Sequence, residues 1–412
     1  MSIAPYQPYL DFIASQQTHM VHQLYEWSNI NSGSRHIAGL TRMAKVLEDN
    51  FFWLKVPIER IDLAPIIEMA DDGQMREQAL GQCLRITMRP KAPIQVVLVG
   101  HYDTVFDENH PFQTAQFLDE QTLNGPGVAD LKGGLLVMLK ALEAFEQSPW
   151  AHNIGYQVIL NPDEEIGSIG SDVVLREAAK TARIGLIFEP ALPDGTLAGA
   201  RKGSGNFAVH VTGKAAHAGR NPNDGRNAVV AASRIALALA ELHKSQSRVL
   251  INPARIVGGG ALNIVPDQAI LRFNVRTQSH EDEAWLEEKI AKITEEFSGI
   301  DGYACHIHGG FTRAPKPMSE SNLVLFDMVR SSGAMLGQSI AWRDSGGACD
   351  GNNLYKYGVP NVDTLGVRGG AIHSDKEFVE LESLSERAQL TALLLMRLAS
   401  GELTMDDIVS NK

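Results

Sequence analysis

The sequence predicts an α/β fold with a mostly parallel central sheet, interrupted by an inserted α+β unit of ferredoxin-like type. Three observations carry this expectation. Short apolar runs alternate with stretches of helical periodicity, the pattern of a sheet layered with helices. A β-α-β-β-α-β order follows between residues 205 and 311. The chain is 412 residues long, whereas single cores stop growing at roughly 250 to 300 residues, so two units are expected.

Taken in order, Leu10, Ile13, Met20, Leu24 and Tyr25, then Leu40, Met43, Leu47 and Phe51, recur at helical spacing and predict two amphipathic opening helices. IQVVLVG (94–100) is an apolar run ending in glycine and predicts a strand, GGLLVMLKALEAF (133–145) a helix, and GYQVILN (155–161) and ARIGLIFEP (182–190) two further strands. In the insert, NFAVHVTG predicts a strand, RNAVVAASRIALALAELH a helix, RVLINPARIVG and AILRFNVRT two strands, EDEAWLEEKIAKITEEF a helix and YACHIH a last strand. The Pro-rich segment TRAPKPM (312–318) reads as the return linker, and VPNVDTL (359–365) resumes the first pattern. The expected division is residues 1–204 with 312–412 for the large unit and 205–311 for the insert.

A composition of 44% hydrophobic and 21% charged residues is that of a soluble globular protein. The net charge of -12 argues against nucleic-acid or anionic-membrane partners, and leaves any anionic ligand to a few placed cations. Cys83, Cys305 and Cys349 are odd in number and widely spaced, which is neither a disulfide framework nor a metal knuckle. The opening residues lack the basic start and apolar run of a secretory signal, and no segment reads as a membrane span, so a cytoplasmic location is expected.

His101 (GHYDTV), Asp130 (GPGVADLKGG), Glu164 with Glu165 (DEEIGS) and Glu189 (FEP) all lie just past the ends of predicted strands, where open α/β sheets place their ligands. Convergent carboxylates repel one another unless a cation lies among them. Imidazole and carboxylate together suit a borderline metal such as zinc, with one position left open for water. Taken singly, His101 reads as a hydrogen-bonded histidine and the Glu164–Glu165 pair as a solvated turn; it is their joint order that points to a site.

Together with GGAIHSDKEF near the C-terminus, these motifs closely resemble the M20 family of co-catalytic zinc peptidases and deacylases, most of all its glutamate carboxypeptidase branch. The resemblance runs from about residue 30 to residue 400. It implies a zinc-exopeptidase-like catalytic domain, an inserted lid and dimerisation domain, and two Zn2+ per subunit, with Co2+ or Mn2+ as substitutes. By the same resemblance Asp130 bridges the ions, His101 and Glu189 complete one shell, Glu165 and His373 complete the other, and the peptide Asp130–Leu131 is cis. Glu164 is implied as the general base and Asp103 as the partner that orients His101. His217 (AAHAGR) is implied to reach the active site of a second subunit, which makes the expected assembly a homodimer. Asn263 and Arg276 are implied to bind the substrate carboxylate, for which a planar guanidinium is suited, and Gly346 and Gly347 to supply backbone contacts beside it.

The expected activity is hydrolysis of an amide next to a free carboxylate, releasing a C-terminal amino acid from an N-acyl or peptide substrate, with glutamate one candidate. No additional lysine stands out in the insert to read a glutamate side chain. The alternatives are an N-acyl-amino-acid deacylase, related to acetylornithine deacetylase or succinyl-diaminopimelate desuccinylase, and a non-catalytic metal-binding protein of the same fold. His306 and His308 share a strand face without an accompanying carboxylate and read as surface residues. Arg201 and Lys202 read as an anion patch or a solvated hinge.

Overall fold

The structure, a computed structural model, describes residues 2–245, 248–300, 302–406 and 408. Among the described residues the largest sheet has six strands, in the order Ile58–Asp62, Gln82–Met88, Ile154–Asn161, Ile94–His101, Ile184–Ile187 and Asn361–Val362. The last four run parallel and the first two pair antiparallel at one edge. Val96, Val97, Leu98 and Val99 are all buried, because a central parallel strand is covered on both faces.

The helix Lys132–Glu146 lies against this sheet and is buried along nearly its whole length, with the C-terminal helix Ser383–Ala399 packed beside it. Two glycines permit the close approach. A Cβ at Gly134 would sit 2.0 Å from the Phe188 carbonyl oxygen, and one at Gly100 would sit 2.7 Å from Leu135 Cδ2. The helix can therefore start immediately beside the strand ends, which brings Asp130 to the same edge as His101 and Glu189.

The second, four-stranded sheet is antiparallel throughout, in the order Leu250–Gly258, Gln268–Thr277, Gly203–Thr212 and Ala304–Arg313. With the helices Ala228–Ser245 and His280–Ser298 on one face it has the ferredoxin-like connectivity expected. Phe207, Val209, Val211, Leu271, Phe273 and Leu286 form a core separate from that of the large sheet. The other face receives a hairpin of the large unit, Ile66–Met69 with Met75–Gln78. There Asp71 pairs with Arg255 at 2.5 Å and Arg272 at 2.9 Å, and His308 Nε2 lies 3.1 Å from the Ile67 carbonyl oxygen.

Some local readings change. The opening segment forms three helices, Gln7–Ser15, Gln17–Ser28 and Ile37–Phe51, because the chain breaks at Gln16. Tyr25 does not join the core but stacks on Phe117 at the surface. TRAPKPM is not a free linker, since Thr312 and Arg313 end a strand and Lys316 is fully buried. Arg201 is neither an open anion patch nor a solvated hinge. It pairs backbone to backbone with Lys316 (2.8 and 2.9 Å), so the outgoing and returning connections lie together, and both cations converge on buried Asp363 at 2.7 and 2.5 Å. The three cysteines are unpaired, and among the described residues no helix is long and apolar enough to cross a membrane.

Burial opposes ionisation of Asp363, yet Arg201 and Lys316 together hold its carboxyl at about 2. A carboxylate whose pKa is depressed on folding stabilises above its unfolded value and loses that contribution as pH falls through the folded one. Unfolding free energy should therefore drop by about 2 kcal/mol between about pH 4 and pH 2 through this group. Urea unfolding at stepped pH checks this, and Asp363→Asn should be less stable at pH 7 with a flatter slope in that window.

Candidate metal centre and cleft

Four loops at the carboxyl edge of the parallel strands meet in one cleft of about 620 Å³. His101 ends its strand, Glu164 and Glu165 form a short 3-10 turn just after Ile154–Asn161, Glu189 follows Ile184–Ile187, and Asp130 immediately precedes the helix Lys132–Glu146. His373 arrives from a distant loop in the left-handed region, at φ 63°. A non-glycine residue there is uncommon and is held by its surroundings.

His101 Nε2 lies 3.1 Å from Asp130 Oδ1 and 3.7 Å from Glu189 Oε1. His373 Nε2 lies 3.2 Å from Asp130 Oδ2 and 3.2 Å from Glu165 Oε2. The two oxygens of Asp130 thus face different imidazoles, each beside its own glutamate. Ligand atoms on a tetrahedral zinc sit about 3.3 Å apart when the bonds are about 2.0 Å, so both sets of spacings fit a metal. Two further observations agree. Glu165 Oε1 and Glu189 Oε1 are buried with no hydrogen-bond donor, an arrangement that suits a cation. Ligand atoms of His101, Asp130 and Glu165, and likewise of His101, Glu164 and Glu189, lie within 4.8 Å of one another.

The match to a known family follows from the same residues. Residues 97–397 match the model of peptidase family M20/M25/M40. The chain belongs to that family. Carboxypeptidase G2 of Pseudomonas sp. (strain RS-16) is 26% identical over 395 residues, covering 94% of this chain and 91% of that protein. A succinyl-diaminopimelate desuccinylase of Psychrobacter sp. (strain PRwf-1) is 28% identical over 326 residues, 74% of this chain and 80% of the relative. Among solved structures, a tripeptidase from Staphylococcus aureus has a TM-score of 0.73 at 21% identity, covering 93% of this chain and 99% of that one. An M20 family metallo-carboxypeptidase from Sulfolobus solfataricus has a TM-score of 0.71 at 18% identity, covering 91% and 98%. These two share the fold, and the M20 chain is a metallohydrolase.

Within this M20 centre Asp103 is fully buried. Its carbonyl oxygen and carboxylate face His101 Nδ1 at 3.0 and 3.3 Å, which keeps Nε2 free toward the cleft. The same carboxylate accepts from Ser34 Oγ and from the backbone N–H groups of Glu164 and Glu165, so one side chain orients an imidazole and the glutamate turn together. The peptide Asp130–Leu131 is cis. Burial pushes the Glu164 carboxyl up to about 7 although Arg313 pulls it down, and burial with the nearby Asp130 charge pushes Glu165 up to about 8. Burial opposes the Asp130 charge, but the His101 and His373 hydrogen bonds hold this carboxyl below the ordinary aspartate range.

The cleft is also lined by Arg276, Gly346 and Gly347. His217 and Asn263 are not brought to it. They lie side by side on the second unit, where Ala218 N–H donates to the Asn263 carbonyl at 2.9 Å and His217 bridges to Ile264. Three residues at the centre escaped the sequence reading. Arg313, hidden in the linker-like TRAPKPM, is buried and donates to Glu164 Oε1 at 2.6 Å and Asp350 Oδ1 at 2.8 Å. Arg343 lines the cleft from the strand Trp342–Ser345. Glu377, four residues past His373 in a motif already in view, accepts the Asp130 backbone N–H.

Added zinc should raise the thermal midpoint, by about 2.7 kcal/mol of stability at a free concentration 100 times the dissociation constant. Differential scanning fluorimetry with and without zinc measures the gain, which Asp130→Ala should abolish. A midpoint indifferent to zinc, or an equal gain in the variant, would count against this cluster as the metal site.

Proposed function

We propose that the chain is a two-zinc hydrolase that cleaves an amide next to a free carboxylate, releasing a C-terminal amino acid, with glutamate favoured, from N-acyl or peptide substrates. The observation that carries this reading is the convergence of two imidazoles and four carboxylates beside one cleft that Arg276 also lines. His101 and Glu189 would hold one ion, Glu165 and His373 the other, and Asp130 both; cobalt or manganese would substitute. When bound there, the ions supply Lewis acidity at the carbonyl and lower the pKa of water from 15.7 to about 7.

The protein's own groups do the rest. Arg313 holds Glu164 Oε1, which leaves Oε2 to take the proton of the attacking water and return it to the leaving amine. Asp103 keeps His101 in one tautomer. Among the described residues the Arg276 guanidinium has no hydrogen-bond or ion-pair partner, and burial together with neighbouring Arg313 lowers its pKa, so a bidentate substrate carboxylate is its natural partner. Arg343 supports glutamate as the released residue, because a second cation in the cleft offers a site for a second carboxylate.

The unit 205–311 acts in this reading as lid and dimerisation domain, and the chain as a homodimer in which the partner's His217 stabilises the oxyanion. The exposed Leu237, Leu262 and Ile264 of that unit support an interface there, and the distance of His217 from its own cleft supports action across it. Glu164→Gln should lower kcat by about 10² to 10⁴ while zinc content, read by atomic emission, is unchanged. Mixed and reannealed with an inactive His217→Ala chain, it should regain part of the activity, since one site per mixed dimer then has both residues. No regain would remove the partner's role, and a Glu164→Gln chain with wild-type kcat would remove the base.

Likeness to the desuccinylases favours a deacylase as the second reading. Kinetics on a panel of N-acyl amino acids separates the two. The carboxypeptidase reading expects kcat/KM to follow the amine side, with glutamate above alanine by a factor that Arg343→Gln reduces. A preference set only by the acyl group would favour deacylation.

A further inference from the structure

We infer that Glu377 is a positioning residue that sets the geometry of the metal pair by gripping the backbone that carries Asp130. The inference rests on the two-metal reading above. Glu377 is 1% exposed. One of its oxygens, Oε1, accepts the N–H groups of Ala129 and Asp130, both at 3.0 Å, and Oε2 accepts the Gly127 N–H at 3.3 Å. Its carbonyl oxygen accepts Asn124 Nδ2 at 2.7 Å and the Gly125 N–H at 3.3 Å. The carboxylate thereby holds the backbone from Gly127 to Asp130, while the carbonyl only joins the two loops at Asn124 and Gly125.

The consequence concerns the metals because of where this residue sits in the chain. His373, a ligand of one proposed ion, is four residues earlier, and Asp130 is the ligand shared by both. A single short segment therefore carries an imidazole at its start and fixes the backbone of the bridging carboxylate at its end. The two oxygens of Asp130 reach His101 and His373 within 0.1 Å of the same distance, 3.1 and 3.2 Å, and the direction of the Asp130 backbone controls that balance.

A neutral amide could not do the same work, since one end of a glutamine presents N–H groups to backbone N–H groups and leaves at least one of the three without an acceptor. The carboxylate is not there to neutralise Asp130, which it repels. Lys132, fully buried beside the same loop, donates its Nζ to the Ile30 carbonyl at 2.8 Å.

Cobalt(II) titration of the metal-free protein, followed by visible absorption, tests this. For Glu377→Gln the affinity for at least one ion should fall about 10- to 100-fold, the absorption band of the loaded protein should shift, and kcat should fall with little change in KM. Asn124→Ala is the control. Asn124 ties the same two loops together through Glu377 O and Asp375 O without touching Asp130, so it should lower thermal stability and keep the wild-type band. Should Glu377→Gln not fold, Glu377→Asp, which withdraws both oxygens by one methylene, is read in the same way. A Glu377 variant with wild-type affinity and spectrum overturns the inference, as do equal spectral losses in the two loop variants. A wild-type chain that takes up no cobalt overturns the two-metal reading instead.

Discussion

Asp130, Glu164, Glu165 and Glu189 are crowded into one buried cleft, and four carboxylates at that separation cannot all be ionised unless positive charge lies among them. Much of the architecture around the cleft answers this constraint. Two imidazoles meet the oxygens of Asp130, an arginine meets Glu164, and two glutamate oxygens are left without donors. The donorless oxygens leave an unfinished electrostatic arrangement, which metal ions would complete under the proposed function. Placing it at the carboxyl edge of a parallel sheet lets rigid strands set where each loop begins.

The supporting charges are themselves supported. Arg313 touches Glu164 only because Asp350 and Asn353 take its other nitrogen, at 2.8 and 2.5 Å, and Ser168 shares the network. Since Arg313 is the last residue of a strand of the second sheet, the position of Glu164 is tied mechanically to the unit proposed as a lid. The Arg201–Asp363–Lys316 cluster anchors the connections at the same boundary, and the hairpin around Asp71 meets the outer face of that sheet. A lid movement would be transmitted to Glu164 through Arg313 and resisted by these ion pairs.

Residues whose chemistry depends on a local motif were legible from sequence. His101, Glu165 and Glu189 sit where strands end and Asp130 where a helix begins, and the periodicity that defines those elements is written in consecutive residues. The six-element order of the inserted unit was visible for the same reason, with strand limits displaced by a few residues. Arg313, Arg343 and Glu377 were not, because an arginine in a Pro-rich segment or a glutamate in a charged loop is ordinarily solvated. The meaning of Arg313 and Glu377 comes from partners 149 and 247 residues away in the chain, and that of Arg343 from the cleft it lines. The break at Gln16 was missed because periodicity runs on across it, and the burial of Arg201 and Lys316 because their partner Asp363 is remote in sequence.

By itself the sequence determined the layered α/β plan, the ferredoxin-like order of the insert and the donor types available to a metal, since all of these follow from residue periodicity and from side-chain chemistry. Only the tertiary structure decided that the two oxygens of Asp130 face different histidines, that Glu164 is held by an arginine, and that His217 stands apart from the cleft of its own chain. Those are relations between side chains in space, where a few tenths of an ångström and the loss of water set the strength of each charge. Neither quantity is carried by any single stretch of residues.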